Sequence, residues 1–165
     1  MLRVFLALTA LLLAACHPSG EPLEDLRLAQ LKPGLSSEAQ VRELFGPPDQ
    51  ERGSATGREL IYPLGPEGAV TLALKIDREG RYQGVENLLV PSNFARIRPG
   101  MREDEVLAVL GRPGSKQHYR LSGETSWSWR FLEQPNTRMF VVDFGADGRV
   151  LRSGTEDDPR LSGGR

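Results

Sequence analysis

Apolar and polar residues alternate with a period of two in two separate stretches of the chain, residues 70–77 and residues 140–144. Such alternation is typical of a strand that buries one face in an antiparallel sheet. Each stretch is followed by a short segment that ends in glycine, at residues 77–80 and 145–148, as hairpin turns favour. The pattern therefore predicts a strand followed by a hairpin in each half of the chain.

A short amphipathic helix is predicted ahead of each of these strands. In the first half Ser37 is a candidate N-cap, Gln40 can close a capping box with it, and Gly46 ends the helix. In the second half the helix is predicted over residues 103–110, with Arg102 in place of the capping residue. Two further short helices are predicted ahead of these, over residues 23–30 and 92–97.

The chain contains one unit twice. Residues 32–48 match residues 98–113, and residues 76–82 match residues 144–150, in the same order and with nearly the same spacing. Self-similarity of this kind indicates an internal duplication. We therefore predict an α+β fold, a tandem repeat of two units, each with two short helices packed on a three- or four-stranded antiparallel sheet.

Five segments follow from these patterns. We predict a signal peptide over residues 1–15, a lipidated cysteine with its tether over residues 16–22, the first unit over residues 23–90, the second unit over residues 91–152 and a tail over residues 153–165. The tail is expected to be disordered because it has few apolar residues and no periodicity.

The leader carries the strongest targeting signal. Its apolar stretch, residues 4–15, is too short for the roughly 20 residues of a membrane-spanning helix and is typical of a secretory signal. The sequence Leu-Ala-Ala-Cys at residues 13–16 resembles the bacterial lipobox, which implies that Cys16 is acylated and becomes the N-terminus. His17 stands where an aspartate is associated with inner-membrane retention, so the resemblance implies an outer-membrane lipoprotein that faces the periplasm.

Composition narrows the chemistry. The chain has 165 residues, a formal net charge of −1, one cysteine and two histidines. One cysteine excludes an intramolecular disulfide, and these few thiol and imidazole groups cannot complete a four-ligand zinc site. The near-neutral charge gives no reason to expect a nucleic-acid partner. We predict neither a cofactor nor a metal.

The order of motifs resembles a known family. Lys-Pro-Gly-Leu at residues 32–35, Leu-Phe-Gly-Pro-Pro at residues 44–48, an aromatic strand and an apolar strand that ends in Asp-x-x-Gly are similar to the BamE (SmpA/OmlA) lipoprotein domain. The likeness covers residues 23–90 and again residues 91–152. It implies two helices on a three-stranded antiparallel sheet, and a role as accessory subunit of the machinery that inserts β-barrel proteins into the outer membrane.

The tandem arrangement carries a second resemblance. Members of the assembly machinery have one unit per chain, whereas this chain has two. Two such units in tandem resemble the secreted β-lactamase inhibitor proteins, which present a concave sheet surface to an enzyme. The resemblances transfer one residue role only, the lipidated cysteine, to Cys16.

The sequence offers no motif for catalysis. It lacks the G-x-S-x-G, P-loop, G-x-G-x-x-G and H-E-x-x-H patterns. His118 could act as a general base in principle, but a surface or strand-edge histidine explains it better, because beyond the tether the chain has no cysteine or second histidine to accompany it. We therefore predict that the protein is not an enzyme.

Aromatic residues give the remaining functional hint. Their strand positions fit either the core beneath the helices or a partner surface, because Trp, Tyr and Arg dominate binding hot spots. The last apolar strand is apolar on both faces, so its second face requires cover from the first unit or from a partner. The candidate partner-binding residues are Tyr62, Trp127, Trp129, Arg130, Met139 and Val141.

Three functions of different classes stay open at this point. The first is a lipid-anchored scaffold or adaptor in cell-envelope or outer-membrane protein assembly, with envelope proteins, including the β-barrel assembly machinery, as partners. The second is an inhibitor or ligand-binding protein that uses the concave surface of the paired sheets. The third is an envelope hydrolase. The sequence favours them in that order.

Overall fold

The computed structural model describes residues 25–64, 68–133 and 136–161 of the chain. The predicted signal peptide of residues 1–15 and the predicted lipidated Cys16 with its tether lie outside these residues. Within the described part, no helix has the length and apolar character needed to cross a membrane.

The first unit is an antiparallel sheet with one α-helix packed on it. A 3₁₀ turn at Leu28–Gln30 and helix α1 at Glu38–Phe45 come first. Four strands follow, each paired with the next along the chain: β1 (Gln50–Ser54), β2 (Gly57–Leu64), β3 (Val70–Asp77) and β4 (Tyr82–Asn87).

The second unit repeats this order. Two helices come first, α2 (Pro91–Phe94) and α3 (Glu103–Leu110). The strands again pair in chain order: β5 (Ser115–His118), β6 (Thr125–Glu133), β7 (Asn136–Phe144) and β8 (Val150–Asp157). The predicted α+β fold in two units is confirmed, and each sheet has four strands.

The capping box predicted for α1 is present. The hydroxyl of Ser37 accepts a hydrogen bond from the Gln40 N–H at 3.3 Å, and the Gln40 side-chain oxygen accepts from the Ser37 N–H at 2.8 Å. In α3 the Glu105 carboxylate accepts from the Arg102 N–H at 2.7 Å. The reach of the third helical residue back to the cap is therefore kept in both units, although Arg102 replaces serine.

The duplication extends to individual backbone hydrogen bonds. The Gly34 N–H donates to the Tyr82 carbonyl at 2.7 Å, and the Gly100 N–H donates to the Val150 carbonyl at 2.8 Å. The last two strands of each sheet, β3–β4 and β7–β8, also shift register beside the hairpin turn that joins them. The two units therefore share local geometry as well as element order.

Each unit has its own core between the helices and one face of the sheet. In the first core Val41 of α1 packs on Leu60, Leu72 and Leu74 of the sheet. The second core is richer in aromatic residues, and its main members are Val106, Trp127, Trp129, Phe131, Phe140 and Phe144. Leu89 belongs to the second core, so the connection between the units is itself buried.

The predicted first helices are shorter in the structure. Residues 23–30 were expected to be helical, but the described part of this stretch forms only the 3₁₀ turn, because Leu31 is already extended, with φ −94° and ψ 134°. The helix expected over residues 92–97 is α2, a single turn that begins one residue earlier with Pro91 at its first position. Proline is favoured at the first helical position because a backbone N–H there would have no acceptor within the helix.

The prediction of a disordered tail from Ser153 is wrong for the described residues up to 161. Strand β8 continues to Asp157 and pairs with β7 along its length. Composition misled because β8 lies at a sheet edge, where backbone hydrogen bonds to one neighbour hold a strand whose side chains are exposed. Among its residues only Val150 is buried.

Candidate functional site

The three predicted aromatic site residues lie in the cores. Tyr62 is 3% exposed, Trp127 2% and Trp129 1%. The Lys116 ammonium lies 3.6 Å from the centre of the Trp127 ring, over its face, in a cation–π contact. Of the two interpretations left open by the sequence, the structure supports the core. These residues form no partner surface in this conformation.

Arg130 lies on the opposite face of β6 and holds the chain after β8. Its Nε donates to the Asp158 carboxylate at 2.7 Å, and the Thr137 hydroxyl donates to the same carboxylate at 2.8 Å. These hydrogen bonds, that of Arg130 first, lower the pKa of Asp158 well below its ordinary value. Arg130 therefore has a structural role, because it anchors Asp158, the residue that follows edge strand β8.

Each sheet has a second face, opposite to its core, and the two second faces differ. On the first sheet this face carries Ile61, Ala73 and Leu88, which form a separate cluster that is almost fully buried. On the second sheet β6 and β7 bring Ser128 and Val141 opposite one another, as β2 and β3 bring Ile61 and Ala73. Ser128 and Val141 stay partly exposed.

The cover on the first sheet comes from the second unit. Gly111 and Pro113, in the turn that follows α3, are buried there. A Cβ atom at Gly111 would lie 3.3 Å from the Thr71 methyl group. Residues 111–113 are called the α3 turn below.

Polar contacts join the same two units. The Arg52 guanidinium donates to the Ala108 carbonyl, and Arg112 forms an ion pair with Asp49 at 3.1 Å. The sequence predicts that the first unit or a partner covers Met139 and Val141. The first unit does not cover these two residues. The contact between the units lies instead on the second face of the first sheet, against the α3 turn of the second unit.

The second face of the second sheet, carrying Ser126, Ser128, Met139 and Val141, is called the open face. It forms the floor of a groove of about 580 Å³, which the β5–β6 hairpin borders on one side. Two large apolar residues of that hairpin point to solvent, Tyr119 at 48% exposure and Leu121 at 106%. Groups of this kind beside a polar floor are suited to contact with another protein.

The groove is acidic. Glu124, Asp143 and Glu156 line it together with Arg152. Arg152 forms ion pairs with Asp143 at 2.8 Å and with Glu124 at 3.3 Å. The negative charge of Asp143, with the hydrogen bond to Glu124, raises the pKa of Arg152. The ion pairs orient Arg152 along the floor and leave the groove with a surplus of carboxylates.

The arrangement offers binding groups rather than a reacting pair. His118, considered above as a general base, is exposed on edge strand β5, and its Nδ1 lies 3.1 Å from the Thr125 hydroxyl. Among the described residues, no group of three or more histidine, cysteine, aspartate and glutamate side chains could hold a metal ion. The Ser126 hydroxyl donates to Asp143, and His118 pairs with Thr125 on the side of the sheet opposite to Ser126, so the described lining of the groove places no imidazole beside this hydroxyl.

Sequence reasoning identified part of this surface. The structure places Met139 and Val141 on the second face of β7, partly exposed, and their cover by a partner stays a prediction. Tyr119, Leu121 and Glu156 were missed. The signal that could have found the face is the alternation of Ser126 and Ser128 with the two tryptophans, because residues opposite a buried aromatic pair lie on the outer face of the strand. Cys16 lies outside the described residues.

Neither a family model nor a curated protein matches the chain. Among solved structures, the chain is similar to one described as an osmotically inducible lipoprotein, OsmE, at 24% identity, covering 43% of this chain and 76% of that one, with a TM-score of 0.37.

Two further solved structures cover more of the chain. One is described as a beta-lactamase inhibitor protein from Streptococcus mutans, at 14% identity, covering 81% of this chain and 98% of that one, with a TM-score of 0.33. The other is a DUF4309-family protein, YjgB, from Bacillus subtilis, at 13% identity, covering 78% and 82%, with a TM-score of 0.29. TM-scores this low carry no conclusion about the function of this chain.

Proposed function

We propose that this chain is a lipid-anchored, non-catalytic adaptor that takes part in the assembly of envelope or outer-membrane proteins and binds a protein partner on its open face. One observation carries the proposal: the same sheet face is buried in the first unit and open in the second. Ile61 is completely buried, whereas Ser128 at the matching place is partly exposed. The fold therefore contains one such face that is complete and one that has room for a partner.

The leader supports the location. A cysteine preceded by Leu-Ala-Ala at residues 13–15 matches the lipobox, and two or three acyl chains would hold the protein at a membrane surface. The resemblance of both units to the BamE domain supports a role in outer-membrane protein assembly. The protein would then act from the periplasmic face of the outer membrane.

The pairing of groups in the groove supports a non-catalytic role. A nucleophile needs a nearby base to activate it. Here the Asp143 carboxylate that Ser126 contacts is held in an ion pair with Arg152, and His118 lies on the opposite side of the sheet, away from the Ser126 hydroxyl. These contacts make a firm polar surface, which suits recognition.

Complementation tests the proposal. Cells that lack the protein should contain less folded β-barrel protein in the outer membrane, and the wild-type chain should restore it. Ser128→Arg, which places a long cation on the open face, should fail to restore it, whereas Glu79→Arg on the remote β3–β4 hairpin should succeed. Thermal unfolding of both variants checks that each is folded. Normal levels of barrel protein in the deletion strain would contradict the assembly role.

The anchor has a separate test. Cys16→Ser should abolish labelling with a radioactive fatty acid and should release the protein from the membrane fraction. Unchanged outer-membrane fractionation of this variant would contradict the lipid anchor without bearing on the open face.

Inhibition of a periplasmic enzyme is a second candidate, because a groove bordered by Tyr119 and Leu121 also suits an inserted enzyme loop. Crosslinking in intact cells separates the two. Capture of assembly subunits supports the adaptor, and capture of a periplasmic enzyme, whose activity falls when the purified chain is added, supports the inhibitor.

A further inference from the structure

We propose that the groove on the open face binds a turn that carries arginine or lysine and belongs to another protein, not to a second copy of this chain. The inference rests on the proposed function, since it names the chemistry of the partner that the open face would take. It follows from the contact between the two units and from the charges that replace its apolar residues.

The contact between the units shows what shape such a face accepts. On the first sheet, the α3 turn lies with Gly111 against Thr71, Ile61 and Leu88. Gly111 has a φ of 73° and ends α3, and strand β5 begins only four residues later at Ser115, so the chain turns where it meets the sheet. The open face has the same strand order and register. A tight turn, rather than an extended strand or the side of a long helix, therefore fits it.

The chemistry of the open face differs from that of the covered one. Ser128 lies where the first sheet has Ile61. Glu156 lies where the first sheet has Leu88, since each follows a matched residue of the last strand, Thr155 in β8 and Asn87 in β4. A turn without a cation or a hydrogen-bond donor at that place would leave Glu156 desolvated without a partner, which is unfavourable. A turn that presents a hydrogen-bond donor or a cation is favoured instead.

The charges of the groove specify the cation. Three carboxylates face one guanidinium, that of Arg152, which already pairs with Asp143 and Glu124. Glu156 is exposed and forms no ion pair among the described residues. A surplus of negative charge in a groove attracts a positively charged segment and steers its approach.

A second copy of this chain is a poor occupant. The part of the first unit that matches the α3 turn is the end of α1. A Cβ atom at Gly46 would have no other atom within 4 Å, so this end is free to contact another molecule. The exposed residues near it are Glu43, at the place that Ala108 has in α3, and Pro47, at the place of Arg112, and neither carries a positive charge. Docking that end on the groove would add the Glu43 carboxylate to a groove that already has a surplus of carboxylates, and like charges oppose association.

Site-specific crosslinking of the full chain in its own membranes tests the inference. Benzoylphenylalanine is placed at Tyr119, an exposed aromatic position at the border of the groove, the sample is irradiated, and the crosslinked peptides are identified by mass spectrometry. We expect a peptide of another protein with an arginine or lysine in a turn. Crosslinking should fall about fivefold or more when Glu156→Lys is added, since exposed ion pairs contribute up to about 1 kcal/mol and reversal adds repulsion. It should also fall as salt is raised.

Glu79→Lys is the matched control, because it makes the same charge change on an exposed residue of the first unit. It should leave the crosslink unchanged. A crosslink to residues of this chain, a partner peptide without basic residues, equal effects of the two variants, or no crosslink in cells that the benzoylphenylalanine variant complements would each overturn the inference. A basic turn from a protein with no part in envelope assembly would keep the inference and overturn the proposed function.

Discussion

The indole N–H of Trp129 donates to the carbonyl oxygen of Gly111 at 3.1 Å, inside the second unit. The first unit makes the same connection with different chemistry, since the Tyr62 hydroxyl donates to the Gly46 carbonyl at 3.1 Å. In both units the central aromatic residue of the second strand thereby supplies a donor where the helix ends, and where backbone carbonyls lack partners within the helix.

These two hydrogen bonds predict unequal effects of removing the donor. Tyr62→Phe should lower the free energy of unfolding in urea by about 0.5–1.5 kcal/mol, because it deletes one hydroxyl and the Gly46 carbonyl can find water. Trp129→Phe should lower it further, because the Gly111 carbonyl is left buried without a donor and the smaller ring leaves a cavity. Equal losses in the two variants would show that the Gly111 carbonyl is not sequestered.

The covered and open faces predict a second contrast. Ile61→Ala should destabilise the protein by about 2–5 kcal/mol, since it opens a cavity between the units. Ser128→Ala, at the matching place on the open face, should change stability by no more than about 0.5 kcal/mol. Both are measured by chemical denaturation of the purified chain, and a comparable loss in the two variants contradicts the difference between the faces.

The glycines that end the two helices predict how much the contact between units adds to backbone strain. Gly46 and Gly111 have φ of 78° and 73° with ψ of −165° and −168°, a conformation adopted almost only by glycine, so alanine at either position should lose roughly 1–3 kcal/mol. Gly111→Ala should lose more, because its Cβ would meet the Thr71 methyl group at 3.3 Å, whereas nothing lies within 4 Å at Gly46. If thermal unfolding shows the same loss for both, the α3 turn does not press on the first sheet.

The buried side of α3 predicts a large effect of an added charge. Val106→Asp should destabilise the second unit by about 3–5 kcal/mol, because Val106 is completely buried and the carboxylate would have no partner. Ala108→Asp is the control, since Ala108 is exposed on the same helix. Near-UV circular dichroism from Trp127 and Trp129 reports the second core. Loss of that signal in the control, or its survival in Val106→Asp, would contradict the assigned helix face.

The carboxylate of Asp158 predicts a pH dependence of stability. Its pKa is lowered in the folded protein by the hydrogen bonds from Arg130 and Thr137, so its contribution is fully present above the ordinary aspartate pKa of about 4. That contribution is lost as the pH falls below this value towards the folded-state pKa. Asp158→Asn should be less stable at pH 7 and should lose less stability than the wild type on acidification. Parallel pH curves for the two proteins would rule out this role of Asp158.

The pairing of β8 with β7 shows why part of the fold escaped sequence reasoning. Helix α3 could be predicted at its two ends, because the negative first turn and the terminal glycine are local signals. Strand β1 and the part of β8 beyond residue 152 could not, because they lie at sheet edges and carry polar residues on both faces. Their stability comes from hydrogen bonds to one neighbour, which leave no periodic trace in the sequence.

The sequence by itself determined the duplication, the capped helices, the apolar strands and their hairpin turns, because each depends on residues that are close together along the chain. Only the tertiary structure decided that Trp127 and Trp129 are core residues, and that Ile61 is covered while Ser128 is open. The first outcome depends on how the helices of the second unit pack on their own sheet, and the second on where the second unit comes to lie. That position is set by contacts between distant residues, with Leu88 packed against the first sheet and Leu89 in the second core.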